Sequence, residues 1–325
     1  MPRFVGTLLW VFCGLVLSLS TVANAQSSAP IGSLILGVGP DASAGSVLAG
    51  VRKGIFQKHG VTVQLKVFNS GQESLEAVLT GQADTTINGP FNIPPVAARG
   101  GKIKILAELE RSDQQFGVAA KTGIKGPQDL IGKKVGTQFN TSPDYYYRLY
   151  TKKYGLDEGK ITLQNIAFAQ LVPALAKGDI DAFFAFEPHI TRAVEAVPGA
   201  TIIHRSGQEG VMPLLVYLGA SEKLYSNKAL AVAFMKGLVE AGDWVNSNRD
   251  EAAAMLVAEF SLKPEDAKRF NSYFDYSVRW NRKSMAELEA VNQFMSDRKL
   301  LPQTADLSKL VAVEFLKEAA PGRVE

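Results

Sequence analysis

The stretch VTVQLKVFNSGQESLEAVLTGQADTTING, from Val61 to Gly89, contains the repeating unit of the fold. Apolar residues alternate with polar ones from Val61 to Val67, which predicts a β-strand. The segment ESLEAVLTGQAD predicts a helix that closes at Gly81, and TTING predicts a second, short strand. A strand, a helix and a strand in this order are the unit of a parallel sheet covered by helices.

The same alternation extends to both sides of this stretch. A strand is predicted at Ser33–Val38, and the pattern restarts after residue 112 with the strands GVAAK, ITLQNIA and IDAFFAF. From about residue 226 the chain becomes helical: Ser226 is predicted to cap a long helix, and Ser284 with Glu287 has the spacing of a capping box. Two α/β sets followed by a helical tail predict an α/β protein of two lobes with a cleft between them.

The first 25 residues have a different character. A basic start is followed by an apolar run from Leu8 to Leu17 and by the small residues Ala23-Asn24-Ala25, which predicts a secretory signal peptide over residues 1–25. A transmembrane anchor is the alternative, but the run is shorter than the ~20 residues of a typical span. Cys13 is the single cysteine, and it lacks the preceding small residues of a lipoprotein site. We therefore expect an exported, periplasmic, cysteine-free mature protein without disulfides or thiol nucleophiles.

Charge and motifs argue against several other classes of function. The net charge is +3, and no block of lysine and arginine indicates a nucleic-acid partner. Gly37, Gly39 and Ala42 have the spacing of a dinucleotide loop, but Pro40 removes a donor and Asp41 places a negative charge where pyrophosphate would lie. A nucleotide site is therefore disfavoured.

The histidines and nucleophiles do not form a catalytic or metal-binding pattern either. His59, His189 and His204 are far apart in the sequence, so no metal or other cofactor is predicted. The segment DASAG lacks the first glycine of a serine-hydrolase elbow. No acid–base pair can be selected from the sequence, and we expect a binding protein rather than an enzyme.

Three loops at predicted strand ends are candidates for a binding site. They are GPDASAG (39–45), NGPFNIPP (88–95) and QFNTSPD (138–144), and each runs into a helix. The backbone N–H groups of a helix start suit a small anion without any charged side chain. The alternative is that each is an ordinary turn with a good helix cap.

The third loop precedes a run of tyrosines. Thr141 or Ser142 is predicted as the helix N-cap, with Pro143 at the first helical position. Tyrosines 145, 146, 147 and 150 cannot all face one way, so one or two are expected to reach the cleft. Glu187 follows another predicted strand. It would either hold an ammonium or hydroxyl group of a ligand or bond backbone N–H groups and lock its loop, and the sequence leaves both open.

The order of these motifs resembles a known family. The residues that carry the resemblance are GIFQKHGVTVQLKVFNSGQESLEAVLTGQADTTINGPFNIPP, DLIGKKVGTQFNTSPDYYYRLYTKKYGL and LVPALAKGDIDAFFAFEPHITRA. They are similar to the nitrate/sulfonate/taurine family of periplasmic solute-binding proteins of ABC transporters. That family also includes binding proteins for pyrimidine precursors of thiamine.

The resemblance implies the type II fold of periplasmic binding proteins, in which each lobe is a mostly parallel sheet flanked by helices. Lobe I is predicted at 33–112 and 216–325 and lobe II at 113–215, with crossings near Glu108–Phe116 and Val211–Leu218. It further implies a monomer that closes on a small organic anion by a hinge and delivers it to an ABC permease. The alternatives are a protein that binds or synthesises a thiamine pyrimidine precursor and a ligand-sensing partner of a membrane receptor.

The resemblance also implies a set of ligand-binding residues, while Phe186 replaces a tryptophan that is frequent in the family before the position of Glu187. Phe91, Phe139, Tyr145 and Tyr146 favour an organic ligand, and Asp41 and Glu187 leave room for an amine. The expected ligand-binding residues are Asp41, Ala42, Ser43, Asn88, Gly89, Pro90, Phe91, Phe139, Asn140, Thr141, Ser142 and Glu187.

Overall fold

The computed structural model describes Met1 and residues 30–325, so nearly all of the predicted signal peptide lies outside the described residues. Its elements form two sheets, one of six strands and one of five, with helices packed around them. The expected two-lobed α/β architecture is confirmed. We call the body built on the six-stranded sheet lobe I and the body built on the five-stranded sheet lobe II.

The elements follow one another in three groups along the chain. The first group belongs to lobe I and comprises β1 (Gly32–Val38), α1 (Gly45–Arg52), α2 (Ile55–Lys58), β2 (Val61–Val67), α3 (Gly71–Leu79), β3 (Thr85–Asn88), α4 (Ile93–Ala98) and β4 (Lys104–Ser112). Lobe II comprises β5 (Phe116–Ala120), β6 (Lys134–Thr137), α5 (Ser142–Lys153), β7 (Thr162–Asn165), α6 (Phe168–Lys177), β8 (Ala182–Phe186), α7 (His189–Ala196) and β9 (Thr201–Arg205). The chain then returns to lobe I with β10 (Leu214–Ala220), α8 (Glu222–Tyr225), α9 (Lys228–Ser247), α10 (Arg249–Phe260), α11 (Pro264–Ser272), β11 (Phe274–Asp275), α12 (Arg282–Asp297) and α13 (Glu314–Ala319).

Both sheets share one topology. The strand order is β11-β4-β10-β3-β1-β2 in lobe I and β7-β6-β8-β5-β9 in lobe II. Strands β1, β2 and β3 pair in parallel, as do β6, β7 and β8, whereas β10 and β5 each run antiparallel to both neighbours. Each reversed strand is the first one that the chain forms after it crosses from the other lobe. The parallel strands therefore point their carboxyl ends, and the loops that follow them, toward one edge of each sheet.

The chain passes between the sheets twice. It leaves the lobe I sheet at Ser112 and enters the lobe II sheet at Phe116, inside the predicted first crossing. It returns between Arg205 and Leu214, earlier than predicted, because most of the segment assigned to the second crossing is already strand β10. The two crossings touch where the Gly207 N–H donates to the Asp113 carbonyl oxygen at 2.8 Å. The lobe boundaries at 112/113 and 215/216 stay predictions.

Two helix caps in the C-terminal part differ from the predicted ones. Asn227, not Ser226, caps α9, because its side chain accepts the Leu230 N–H at 3.2 Å and the short helix α8 occupies the preceding residues. The N-cap of α12 is Asn281, and Ser284 is its third residue rather than its cap. The predicted helices exist, but their N-caps lie one and three residues away from the expected ones. Among the described residues, no helix is both long and apolar enough to cross a membrane.

Candidate functional site

The first candidate loop follows β1 and is held from both sides. The Asp41 carboxylate accepts the Ser43 backbone N–H at 2.8 Å, and the buried hydroxyl of Tyr276 donates to the Ala42 carbonyl oxygen at 2.8 Å. Asp41 is exposed, Ser43 is half-buried and Ala42 is buried. One of the N–H groups expected to face a ligand is therefore already bonded to the loop's own carboxylate.

The second loop, after β3, rests on a chain of polar side chains. The buried Asn88 amide donates to the Thr86 hydroxyl at 2.9 Å, and the Asn92 amide donates to the Asn88 side-chain oxygen at 2.8 Å. A Cβ atom on Gly71 would lie 3.3 Å from the side chains of both asparagines, so the start of α3 lies against this loop. Gly89 is half-buried and Pro90 buried beside them.

Sequence reasoning missed the start of α3 as part of this region. Ser70 caps α3 by accepting the Glu73 N–H at 3.2 Å, and a Cβ on Gly39 of the first loop would lie 3.8 Å from the Gly71 nitrogen. The signal was present, because NSGQES is a polar, glycine-containing run directly after a strand. Ser70, Gly71 and Asn92 therefore join the candidate residues of lobe I.

The third loop leads from β6 into α5. Thr141 is the N-cap, with extended backbone angles of φ −124° and ψ 172°, but its hydroxyl donates to the Gln138 carbonyl oxygen at 2.5 Å and caps no helix N–H. Pro143 is the second residue of the helix and not the first, because the helix begins at Ser142. The cap is one of the two predicted residues, but its side chain does not form the expected capping hydrogen bond.

The backbone donors of this loop divide into two groups. The Phe139 N–H donates to the Asn165 side chain at 3.0 Å, and the Asn140 N–H donates to the Asp144 carboxylate at 2.9 Å. Within the described part of the chain, the N–H groups of Thr141 and Ser142 have no acceptor. These two donors and the positive end of the helix dipole leave a place for an anion at the start of α5.

The start of α5 lies where the two lobes meet. The ring of Tyr145 is 4.8 Å from the ring of Phe294 on α12 and 5.9 Å from the ring of Phe91 in the second loop. The half-buried Phe91 also lies 5.9 Å from Phe294. The structure thus brings Phe91 and the first turn of α5 together across the lobes, as expected of a shared cleft.

The other tyrosines of α5 do not reach the cleft. Tyr146, Tyr147 and Tyr150 are fully buried and pack on Phe184 of β8 with ring separations of 5.2–5.3 Å. The hydroxyl of Tyr146 bonds to Nδ1 of His204 at 2.5 Å. The expectation that Tyr146 is an aromatic of the cleft is therefore wrong, because the sheet below α5 takes its side chain into the core of lobe II.

His204 connects α5 to β9 and predicts a pH dependence of stability. Its Nε2 bonds to the Tyr154 hydroxyl at 2.9 Å, and burial lowers the pKa of His204 from 6.5 to about 4, although Glu209 acts in the opposite direction. Between these two values the unfolded chain binds a proton that the folded chain does not, so stability falls as the pH falls from about 6.5 toward 4.

The H204Q variant tests this dependence. We expect the midpoint of thermal unfolding of the parent protein to fall more steeply than that of H204Q between pH 7 and pH 4.5. The two midpoints are measured in parallel at each pH, so that the contributions of carboxylates common to both proteins cancel in the difference. Equal slopes would show that His204 does not titrate in this range.

Glu187 is engaged within lobe II. Its carboxylate lies 2.6 Å from the Arg205 guanidinium and accepts the backbone N–H and the hydroxyl of Thr191 at 3.1 and 2.9 Å. The residue is 4% exposed. These contacts are those of the loop-locking alternative, and a ligand contact by Glu187 stays a prediction, as do the ligand contacts of the other expected residues. The described residues also contain no group of three or more His, Cys, Asp or Glu side chains that could hold a metal ion.

The sequence model of a family described as NMT1-like matches residues 27–260, which is more than half of the 325 residues. The chain belongs to the NMT1-like family. The matched range includes both crossings and all three candidate loops of this NMT1-like protein.

Relatives of this NMT1-like protein are named as binding proteins. The taurine-binding periplasmic protein of Escherichia coli K12 is 22% identical over 60% of this chain and 61% of its own length. A protein of the same organism named for binding aliphatic sulfonates is 25% identical over 91% of this chain and 93% of its own length. The crystal structure of the periplasmic aliphatic sulphonate binding protein SsuA from E. coli shares the fold, with a TM-score of 0.75, 18% identity and coverage of 86% of this chain and 92% of SsuA.

Proposed function

We propose that this protein is a periplasmic solute-binding protein that captures a small organic anion between its lobes and delivers it to an ABC permease. The observation that carries the proposal is the start of α5, where the N–H groups of Thr141 and Ser142 have no acceptor in the described chain. This helix start lies beside Tyr145, which contacts both Phe91 and Phe294 of lobe I. An anion bound there would be in reach of both lobes.

The chemistry of the site favours a sulfonate, a taurine-like amino-sulfonate or a carboxylate. Backbone N–H groups at a helix start stabilise a negative head group without a bulky cationic side chain. The half-buried rings of Phe91 and Phe139 offer apolar surface to the organic part of the ligand. The names of the taurine and sulfonate relatives support the same class of ligand, and neither is named for a thiamine precursor.

The same proposal covers location, partner and the absence of catalysis. The predicted signal peptide and the periplasmic taurine-binding relative support export to the periplasm. We propose further that the exported protein is a monomer and, because Cys13 lacks the preceding small residues of a lipoprotein site, not a lipoprotein. The relatives are binding proteins, and the cysteine-free mature sequence offers no thiol nucleophile. We therefore propose that the protein binds its solute without converting it.

Thermal unfolding against a ligand panel tests this function. The mature protein is heated with ethanesulfonate, taurine, aliphatic and aromatic carboxylates, nitrate and pyrimidines, each up to millimolar concentration. A ligand that binds only the folded state stabilises it by about 2.7 kcal/mol at 100 times its Kd, which raises the unfolding midpoint by several degrees. We expect the hits to share an anionic head group.

The same incubations show whether a hit is consumed. Recovery of each hit unchanged after incubation is expected for a binding protein, and product formation would instead show an enzyme on the same fold. Hits confined to the pyrimidines, or a flat response to every anion of the panel, would contradict the proposed class of ligand.

A further inference from the structure

The C-terminal end of α12 reaches across to lobe II. Helix α12 belongs to lobe I, where Ser284 in its first turn donates to buried Glu108 of β4 at 2.6 Å. Nearly three turns later Phe294 packs on Tyr145 of α5, and Arg298 is the C-cap of the helix. One helix therefore has its start fixed in lobe I and its end on the candidate anion loop of lobe II.

Arg298 contacts that loop at two points. Its Nε donates to the side-chain oxygen of Asn140 at 3.3 Å, and its Nη2 lies 3.4 Å from Oδ2 of Asp144. Asn140 and Arg298 are 158 residues apart in the sequence. The guanidinium also lies over the ring of Phe294, 5.4 Å from the ring centroid, which orients the side chain toward lobe II.

Asp144 transmits this contact to the rest of the loop. The same Oδ2 accepts the Asn140 N–H at 2.9 Å, and Oδ1 lies 3.5 Å from Nε of Arg148. The Asp144 side chain is fully buried, whereas that of Arg298 is 30% exposed. The buried Asp144 carboxylate bonds a backbone N–H of the loop and also pairs with Arg298 of lobe I. The conformation of the loop therefore depends on the position of α12.

We propose that Phe294 and Arg298 form a clamp from lobe I onto the start of α5, in which Arg298 is the positioning residue that couples lobe closure to retention of the anion. Release of the lobes separates Arg298 from Asn140 and Asp144, and closure restores both contacts next to Thr141 and Ser142. The ligand part of this proposal rests on the proposed function. The clamp between the lobes does not, and it is measurable without any ligand.

The cysteine-free mature chain allows a direct measurement of lobe separation. Spin labels are attached through Glu76→Cys on α3 and Lys177→Cys on α6, both at exposed positions, and the interlabel distances are measured by pulsed electron resonance. In the unliganded protein we expect Arg298→Ala to lower, about tenfold, the ratio of molecules with a short interlabel distance to molecules with a long one. Arg298→Lys keeps the charge but not the planar guanidinium, and we expect it to recover part of the short-distance population.

A matched control distinguishes the loss of the clamp contacts from a general effect of removing a positive charge from α12. Arg282 is exposed at the start of the same helix, and Arg282→Ala is expected to leave the distance distribution as in the parent. The unfolding midpoints of the variants show whether each one is folded. A distribution of Arg298→Ala equal to that of the parent, or an equal change in Arg282→Ala, would overturn the clamp.

Ligand kinetics test the coupling separately. For an ethanesulfonate, taurine or carboxylate hit, we expect Arg298→Ala to raise the dissociation rate constant about tenfold with little change in the association rate constant. If Arg298→Ala shifts the interlabel distances to longer values but leaves the dissociation rate constant unchanged, the coupling is refuted. If every anion of the panel fails, the proposed function fails, while the distance measurement still decides whether the clamp exists.

Discussion

Replacing Thr141 and Ser142 together by aspartate is expected to weaken binding of the cognate anion at least about a hundredfold, which corresponds to about 2.8 kcal/mol. The two carboxylates would place negative charge against the N–H groups of these residues and would repel the ligand from the start of α5. Isothermal titration calorimetry with a hit from the ligand panel measures the change in Kd.

Loss of folding is not the expected cause of this effect. Thr141 is the N-cap and Ser142 the first residue of α5, and aspartate is favourable at both places because it complements the helix dipole. The matched control is Thr141→Asn with Ser142→Asn, which has nearly the same shape without the charge and should lose less than about tenfold. An aspartate pair that binds like the parent would show that the anion does not lie here.

Gly242→Ala is expected to lower the free energy of unfolding by about 3 kcal/mol, the upper end for an overpacked core position. A Cβ atom at this position of α9 would lie 2.1 Å from the carbonyl oxygen of Tyr276, which is backbone and cannot rotate away. Alanine is by itself favoured over glycine in a helix by about 1 kcal/mol, so the steric conflict must exceed this gain. Because Tyr276 also bonds to Ala42, the first loop should shift as well.

Denaturant unfolding of Gly242→Ala and Gly322→Ala checks this expectation. Among the described residues, no heavy atom outside Gly322 and its two chain neighbours lies within 4 Å of a Cβ at this position, so its substitution should change the free energy of unfolding by less than about 0.5 kcal/mol. A stabilised Gly242→Ala protein would mean that α9 and the segment at Tyr276 are not packed as the structure has them.

Local patterns were sufficient to predict most of the fold. The strand at Val61–Val67 appears as expected because its first residues alternate between core and solvent. The helix end before Gly81 and the short strand at Thr85–Asn88, whose four residues are all buried, also appear as expected. The third loop was also located by local signals, namely Thr141, Ser142 and Pro143 at a helix start. The order of the strands within each sheet is not a local property and could not be predicted from these patterns.

The contacts that complete the site depend on residues far apart in the chain. Tyr146 and Glu187 looked available for a ligand, but His204 bonds the first and Arg205 pairs with the second, and no local pattern indicates either partner. Arg298 could not be assigned to the anion loop for the same reason. The helix caps at Asn227 and Asn281 were missed because serine and asparagine compete as caps and the sequence alone does not rank them.

We propose above that the N–H groups of Thr141 and Ser142 bind the anionic group of the solute. Titration of the ¹⁵N-labelled mature protein with the best anionic hit, followed through the backbone amide resonances, tests this most directly. Both amide protons are expected to shift downfield, with saturation that follows the Kd measured by calorimetry, because hydrogen bonds to an anion deshield them. Saturating shifts elsewhere in the protein, with the resonances of these two residues unchanged, would contradict it.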